Sequence, residues 1–281
     1  MAIKLLVDSS CDIEQEEANS MGIDMIPMEI MIDGEVYFDG VNLSHVEFFK
    51  KLEQSTDFPK TSQITKFRYE EKFVEMTKNG DSVIAICLSS KLSGSYNQAV
   101  DASKQFANVY VVDSLNASVG ERILINYAME LIDKNLMPNE IVDLLNEKKT
   151  KIKVFAALAT LKYLKKGGRI SPLVAMAGTM LNIKPIIMVD EGEIKMAGKA
   201  IGSRKGNIFL NELIGKTAGI DFGMPYSTAF TGAETTLLDK YIEDSKNIWQ
   251  KSAGTVPRHM IGSTVGTHVG PGVVAVAFFE K

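Results

Sequence analysis

Cysteine is scarce in this chain of 281 residues: Cys11 and Cys87 are the two, and they make no metal or redox spacing. A disulfide framework is excluded, and Cys87 inside an apolar run suits a reducing cytoplasm, where we expect the protein to act. There are three histidines, with no H-E-x-x-H or other compact spacing, so no metal is expected. Charge of one sign is also lacking. The net charge is −4 and no basic block stands out, which argues against nucleic acid as a partner. The brief lysine cluster at 148–153 reads as a solvated helix end. Long hydrophobic runs are missing too: the longest, 154–161 and 273–279, fall well short of a membrane span. The N-terminal apolar run is short and turns acidic at Asp8, so a secretory signal is not expected.

What is present is a repeated strand, hydroxyl-rich loop and helix. Residues 3–7 form an apolar run ending in Asp8-Ser9-Ser10, with a helix expected over 13–21 and stopped by Gly22. Residues 82–88 lead into Ser89-Ser90-Lys91-Leu92-Ser93-Gly94-Ser95-Tyr96, after which Ala99, Ala102 and Phe106 take helical spacing. Residues 109–112 lead into Asp113-Ser114. In a parallel α/β sheet such loops gather at the carboxyl ends of the strands, where ligands bind. A helix start there offers unpaired N–H groups and partial positive charge to a carboxylate or phosphate. Ser93 and Ser95 can each donate a hydroxyl to the same guest, although a serine in this place can equally be a plain helix cap.

Between these units, residues 24–32 read as one strand and Asp33-Gly34 as a hairpin turn into Val36-Tyr37-Phe38. Ser44 and Glu47 make a capping box, and Thr61-Ser62-Gln63 interrupts the pattern before a helix over 67–78. Helices are expected over 120–134 and 139–149, then a strand over 152–159. The character changes after that. Tyr163 to Ser171 is a basic glycine turn, Ser171-Pro172 starts a helix through Met176 and Met180 to Leu181, and 184–200 reads as an antiparallel hairpin. A helix over 203–213, a strand over 226–231, a helix over 235–249 and strands over 258–262 and 273–279 complete the chain. The fold class is therefore α/β in two domains: 1–160 around a parallel sheet, and 161–281 as a mixed or antiparallel α/β unit.

Ser93 does not sit in a G-x-S-x-G nucleophile elbow, because Lys91 stands where the first glycine belongs. Gly215-Lys216-Thr217 resembles the end of a phosphate-binding loop, but Leu210 stands where that loop needs glycine, so no nucleotide site is expected. His45 is expected on a helix surface. His268 is expected in a glycine loop between two strands, flanked by Gly266, Gly270, Pro271 and Gly272. Arg169 and Arg204 could each serve an anion or be ordinary surface charge. Met176, Met180 and Met188 suit a core or an adaptable apolar tunnel.

Asp8-Ser9-Ser10, Thr61-Ser62-Gln63, Leu92 to Tyr96, Tyr163 to Ser171, Lys184-Pro185-Ile186, Arg204 and Gly266 to Gly272 occur in this order across essentially the whole chain. The set resembles the DegV family of bacterial fatty-acid-binding proteins, with Ile64 where that family often has proline and Ser95 where threonine is frequent. The resemblance implies a long-chain fatty acid, such as palmitate, oleate or stearate, buried between the two domains. It implies no cofactor and no catalysis by the chain itself. The lipid would be presented to a separate ATP-dependent fatty-acid kinase that makes acyl-phosphate, a step in phospholipid metabolism. By the same carry-over Thr61, Ser62, Ser93 and Gly94 hold the carboxylate, Arg204 and His268 support the head group, and Arg169 meets the kinase. The protein is expected to be a monomer with transient membrane contact. The alternatives are an acyl hydrolase using Ser93 and His268, or a lipid-dependent regulator.

Overall fold

The computed structural model describes residues 2–171 and 182–281. The helix expected from Ser171-Pro172 to Leu181, with Met176 and Met180, lies outside these residues. In chain order the strands are β1 (Ile3–Asp8), β2 (Asp24–Ile26), β3 (Glu29–Ile32), β4 (Glu35–Phe38), β5 (Lys60–Ser62), β6 (Ser82–Cys87) and β7 (Val109–Asp113). They continue with β8 (Ile152–Ala157), β9 (Ile183–Asp190), β10 (Glu193–Ile201), β11 (Tyr226–Phe230), β12 (Arg258–Met260) and β13 (Val274–Phe279).

Among the described residues three sheets result. The first has the order β2-β1-β6-β7, with every pairing parallel. Its inner strands are apolar on both faces because helices cover both, as parallel sheets require. A small antiparallel sheet, β4-β3-β5, stands beside it. The third sheet is mixed, with the order β10-β9-β8-β13-β11-β12, antiparallel throughout except for the β11–β12 pair. The expected α/β architecture, one parallel and one mixed sheet, is what the chain forms.

Helix Val119–Asp133 ties the two large sheets together. Its Ile123, Leu124 and Ile125 share one buried core with Leu5, Val7 and Ile86 of the first sheet and with Val154, Ala275 and Ala277 of the third. The opposite face of the third sheet is covered by helices Gly202–Gly215 and Thr236–Asp244, around Phe155, Ile186, Leu210, Leu238 and Phe278. Strand β8 pairs with β9 and β13 inside the third sheet. We therefore propose drawing the domain division just ahead of Ile152, rather than at 160.

Four local expectations are corrected. Residues 24–32 are two strands, because Pro27 lacks an N–H for the ladder and the next N–H, on Met28, donates to the Ser9 hydroxyl at 3.0 Å. Thr61 is in a strand, paired opposite Ile30, rather than in an interruption. The helix expected over 235–249 breaks at Ser245, whose side chain donates to Asn211 Oδ1 at 3.0 Å and competes with helical geometry. His268 lies on a helix, Ser263–Val269, rather than in a loop.

Candidate functional site

The loop after β6 is fixed at both ends. The Ser89 N–H donates to Asn116 O at 2.9 Å, the Ser89 hydroxyl donates to Gly192 O at 2.8 Å, and Ser90 N–H donates to Asp113 Oδ1 at 3.1 Å. Helix Ser95–Ser103 follows with Gly94 as its cap, and Ser93 Oγ accepts the Ser95 N–H at 3.3 Å. Ser95 itself is fully buried. Its hydroxyl accepts the Ile64 N–H at 3.1 Å and lies 3.1 Å from Ser93 Oγ. Ser95 thus ties the Thr61 segment to the Ser93 loop instead of facing a guest. With Ser95 as donor in that last contact, the Ser93 proton is free to point into the cavity.

That cavity has a volume of about 160 Å³ and is lined by Thr61, Ser62, Gln63, Ser93, Gly94, Arg169 and His268 on its polar side. Met28, Leu88, Leu92, Ile194, Val265 and Val269 supply the apolar side. Residues from the small and third sheets, from the loop after β6 and from helix Ser263–Val269 therefore converge on one space. Gly94 is where close approach is needed, since a Cβ there would lie 1.9 Å from Gln63 Oε1.

His268 Nε2 is 2.9 Å from Thr61 Oγ1, while Nδ1 is buried with no hydrogen-bond partner. Burial first, and the Arg169 charge second, push the imidazole down to about 4, so the ring is neutral at physiological pH. A neutral ring donating from Nε2 to Thr61 leaves the Thr61 proton free to donate onward. Gly167 closes over the ring: a Cβ there would sit 2.1 Å from His268 Nδ1. Arg169, half-buried, donates from Nε to Leu92 O at 3.1 Å and from Nη1 to Gly167 O at 2.5 Å. The hydroxyls of Thr61, Ser62, Ser93 and Thr264 and one guanidinium are thus gathered without an acidic group among the lining residues, an arrangement that receives a carboxylate.

Arg169, expected at the surface that meets the kinase, lines the cavity wall. Arg204 is not brought to the site. It is exposed on helix Gly202–Gly215, which covers the face of the third sheet turned away from the shared core, and its charge acts on Asp244. His45 is buried rather than on a helix surface, with Nε2 3.7 Å from Asp39 Oδ1.

Two carboxylates that sequence reasoning passed over position the His268 helix. Asp39, fully buried, accepts the N–H groups of Ser263 (3.2 Å) and Thr264 (3.1 Å) and the Thr264 hydroxyl (2.6 Å). Asp12 accepts the Gly262 N–H at 2.8 Å and the Ser118 hydroxyl, and burial nonetheless raises its carboxyl to about 6. The signal available was Gly262-Ser263-Thr264, a plausible helix entry. Glycines 266, 270 and 272 masked it. Gly266 is within the helix, and it is glycine there because Phe48 leaves no room for a side chain, with Phe48 Cε1 only 2.8 Å from where a Cβ would stand.

Comparison with known proteins returns one consistent relationship. A family profile described as "Uncharacterised protein, DegV family" matches residues 2–281. A DegV domain-containing protein of Caldanaerobacter subterraneus subsp. tengcongensis is 31% identical over 283 residues, covering 99% of both chains. One from Staphylococcus aureus is 30% identical, covering 99% of this chain and 98% of its own. Among solved structures, a DegV family protein from Thermus thermophilus described for its fatty acid binding superposes with a TM-score of 0.87 at 25% identity, over 100% of both chains. DegV from Bacillus subtilis, described as a fatty acid binding protein, gives 0.84 at 27% identity, again over 100% of both.

Proposed function

This chain belongs to the DegV family, and from that premise we propose that it binds a long-chain fatty acid and presents the carboxylate to a separate ATP-dependent fatty-acid kinase for acyl-phosphate formation. The observation that carries the reading is the cavity, where the Thr61 and Ser93 hydroxyls and the Arg169 guanidinium face an apolar wall. Hydroxyl donors hold a carboxylate without sealing it in a tight ion pair, so one oxygen stays open to an incoming phosphoryl group. The acyl chain supplies most of the affinity, at about 0.8 kcal/mol per buried CH₂ before ordering costs. Ser62 and Gly94 shape the carboxylate end. His268 acts through Thr61, and Arg169 joins the cavity to the face that would meet the kinase.

A hydrolase is the weaker reading. Ser93 makes its hydrogen bonds with Ser95, the hydroxyl beside His268 belongs to Thr61, and a ring with a pKa near 4 is a weak base. No helix of the described residues is long and apolar enough to cross a membrane. Cys11 and Cys87 are buried free thiols, which supports action in the cytoplasm. We take the acting form to be a monomer that meets membranes transiently to load lipid. Lipid extraction followed by mass spectrometry tests the ligand, and incubation with a DegV-type kinase partner and ATP tests presentation. Protein that is empty and also ignores added oleate and palmitate would end this reading.

A further inference from the structure

A chain of buried groups runs from helix Val119–Asp133 to the floor of the cavity. Ser10 Oγ is 2.6 Å from Asp8 Oδ1 and 2.7 Å from Glu121 Oε2. Asp8, Ser10 and Glu121 are all at 0–1% exposure, Asp8 at 1% and the other two at 0%. A serine hydroxyl has a single hydrogen, yet both contacts are at hydrogen-bonding distance, so one of the two carboxyl groups must supply the second proton. Burial raises the Asp8 carboxyl as well, but Asp8 also accepts the N–H of Ser10 (3.0 Å) and of Leu88 (2.8 Å), donors that favour its ionised form. Glu121 has no comparable donor, and its Oε1 is buried without a partner.

We propose that Glu121 is an uncharged carboxylic acid donating to Ser10, and that this proton positions the floor of the lipid cavity. The Ser10 hydrogen then goes to Asp8, and Asp8 holds the N–H of Leu88, a cavity residue. The neighbouring Ser9 hydroxyl holds the N–H of Met28, another cavity residue. The neighbouring acidic groups agree with a retained proton. Asp8, Asp12 and Asp113 all disfavour a charged Glu121, as does burial, which is the largest cause. Cys11, Cys87 and Tyr69 face the cluster as neutral groups raised by burial, and Arg122 beside it is engaged with Glu17 and Asp12 O. A carboxyl raised in the folded state contributes stability that is complete below the unfolded value of 4.5 and is lost as pH rises through the folded one. Deprotonation, with the proton passing to solvent, would put two carboxylates on one hydroxyl and release the Asp8 contacts.

Only the link to lipid rests on the fatty-acid reading, so the test has two arms. Infrared spectra of protein labelled with carboxyl-¹³C glutamate should show, at neutral pH, an un-ionised acid carbonyl that moves with the label and is absent from Glu121→Gln. Its absence from the wild type would overturn the proton assignment, whatever the ligand. In the second arm, the amide resonances of Met28 and Leu88 and the retention of bound oleate are followed toward alkaline pH. They should change together with loss of the acid band in the wild type and stay flat in Glu121→Gln, whose amide can donate to Ser10 in the same way. A wild-type profile in Glu121→Gln would overturn the positioning role. Should that variant fail to fold, an acid band that outlasts the Leu88 and Met28 changes in the wild type would overturn it equally.

Discussion

At Ser93 a single hydroxyl separates ligand binding from helix capping. Ser93→Ala removes a donor to a charged guest, which costs about 1.5–3 kcal/mol of affinity. Its capping contact is a weak one at 3.3 Å, so stability should fall by less than about 1 kcal/mol. A fatty-acid titration and a thermal melt on the same variant check both numbers. Gly167→Ala works from the other side: its methyl group would strike the His268 ring, which Thr61 and the surrounding burial hold in place. Overpacking of this kind costs about 1–3 kcal/mol. The predicted result is a displaced His268 signal and weakened lipid binding, and an unchanged ring environment by NMR would contradict it. The ring also carries a pH signature. An unfolded chain protonates this histidine below 6.5, the folded one only near 4, so the folded state binds fewer protons in that window. The contribution is full above 6.5 and declines as pH falls from there to 4; an NMR titration of His268 should show a ring that is neutral over most of that range and gains its proton only near 4.

Helix Ser263–Val269 is the element on which the site most depends, since it carries Thr264, Val265, His268 and Val269 into the cavity. Its first N–H groups have no solvent, and Asp39 takes their place. Asp39→Ala leaves buried donors unsatisfied and should cost about 1–3 kcal/mol, with faster amide exchange at Ser263 and Thr264. Unchanged exchange there would mean the helix is held by packing alone. Elements whose periodicity is local were legible in the sequence: β1, β6, β7, the β9–β10 hairpin and the Ser44 capping box all follow from patterns within a few residues. Those set by distant partners were not. Pro27 divides two strands because Ser9 receives the next N–H, and the His268 helix forms because Asp12 and Asp39, more than 200 residues earlier, satisfy its start. Thr61, Ser93 and His268, brought together in the sequence only by the family resemblance, line one cavity. Arg204 was misplaced because sequence order does not say which face of a sheet a following helix covers.

In the whole molecule, the two large sheets share helix Val119–Asp133, so the cavity lies where elements of different sheets meet on a common core. On the proposed reading, presentation should then depend on Arg169, a half-buried residue of the cavity wall. Arg169→Ala is expected to keep its lipid, held by the acyl chain and by the Thr61 and Ser93 hydroxyls, and to lower acyl-phosphate formation, a loss that excess kinase should restore. Arg204→Ala, on the far face of the third sheet, should leave loading unchanged, and a loss of bound lipid in that variant would contradict the placement of the head group. The central claim is that the cavity holds a fatty acid, and native mass spectrometry of the purified protein tests it most directly. The account predicts a mass excess of one fatty acid per chain that disappears on denaturation and is reduced in Ser93→Ala. A chain that flies at its bare mass before and after incubation with oleate or palmitate would contradict it.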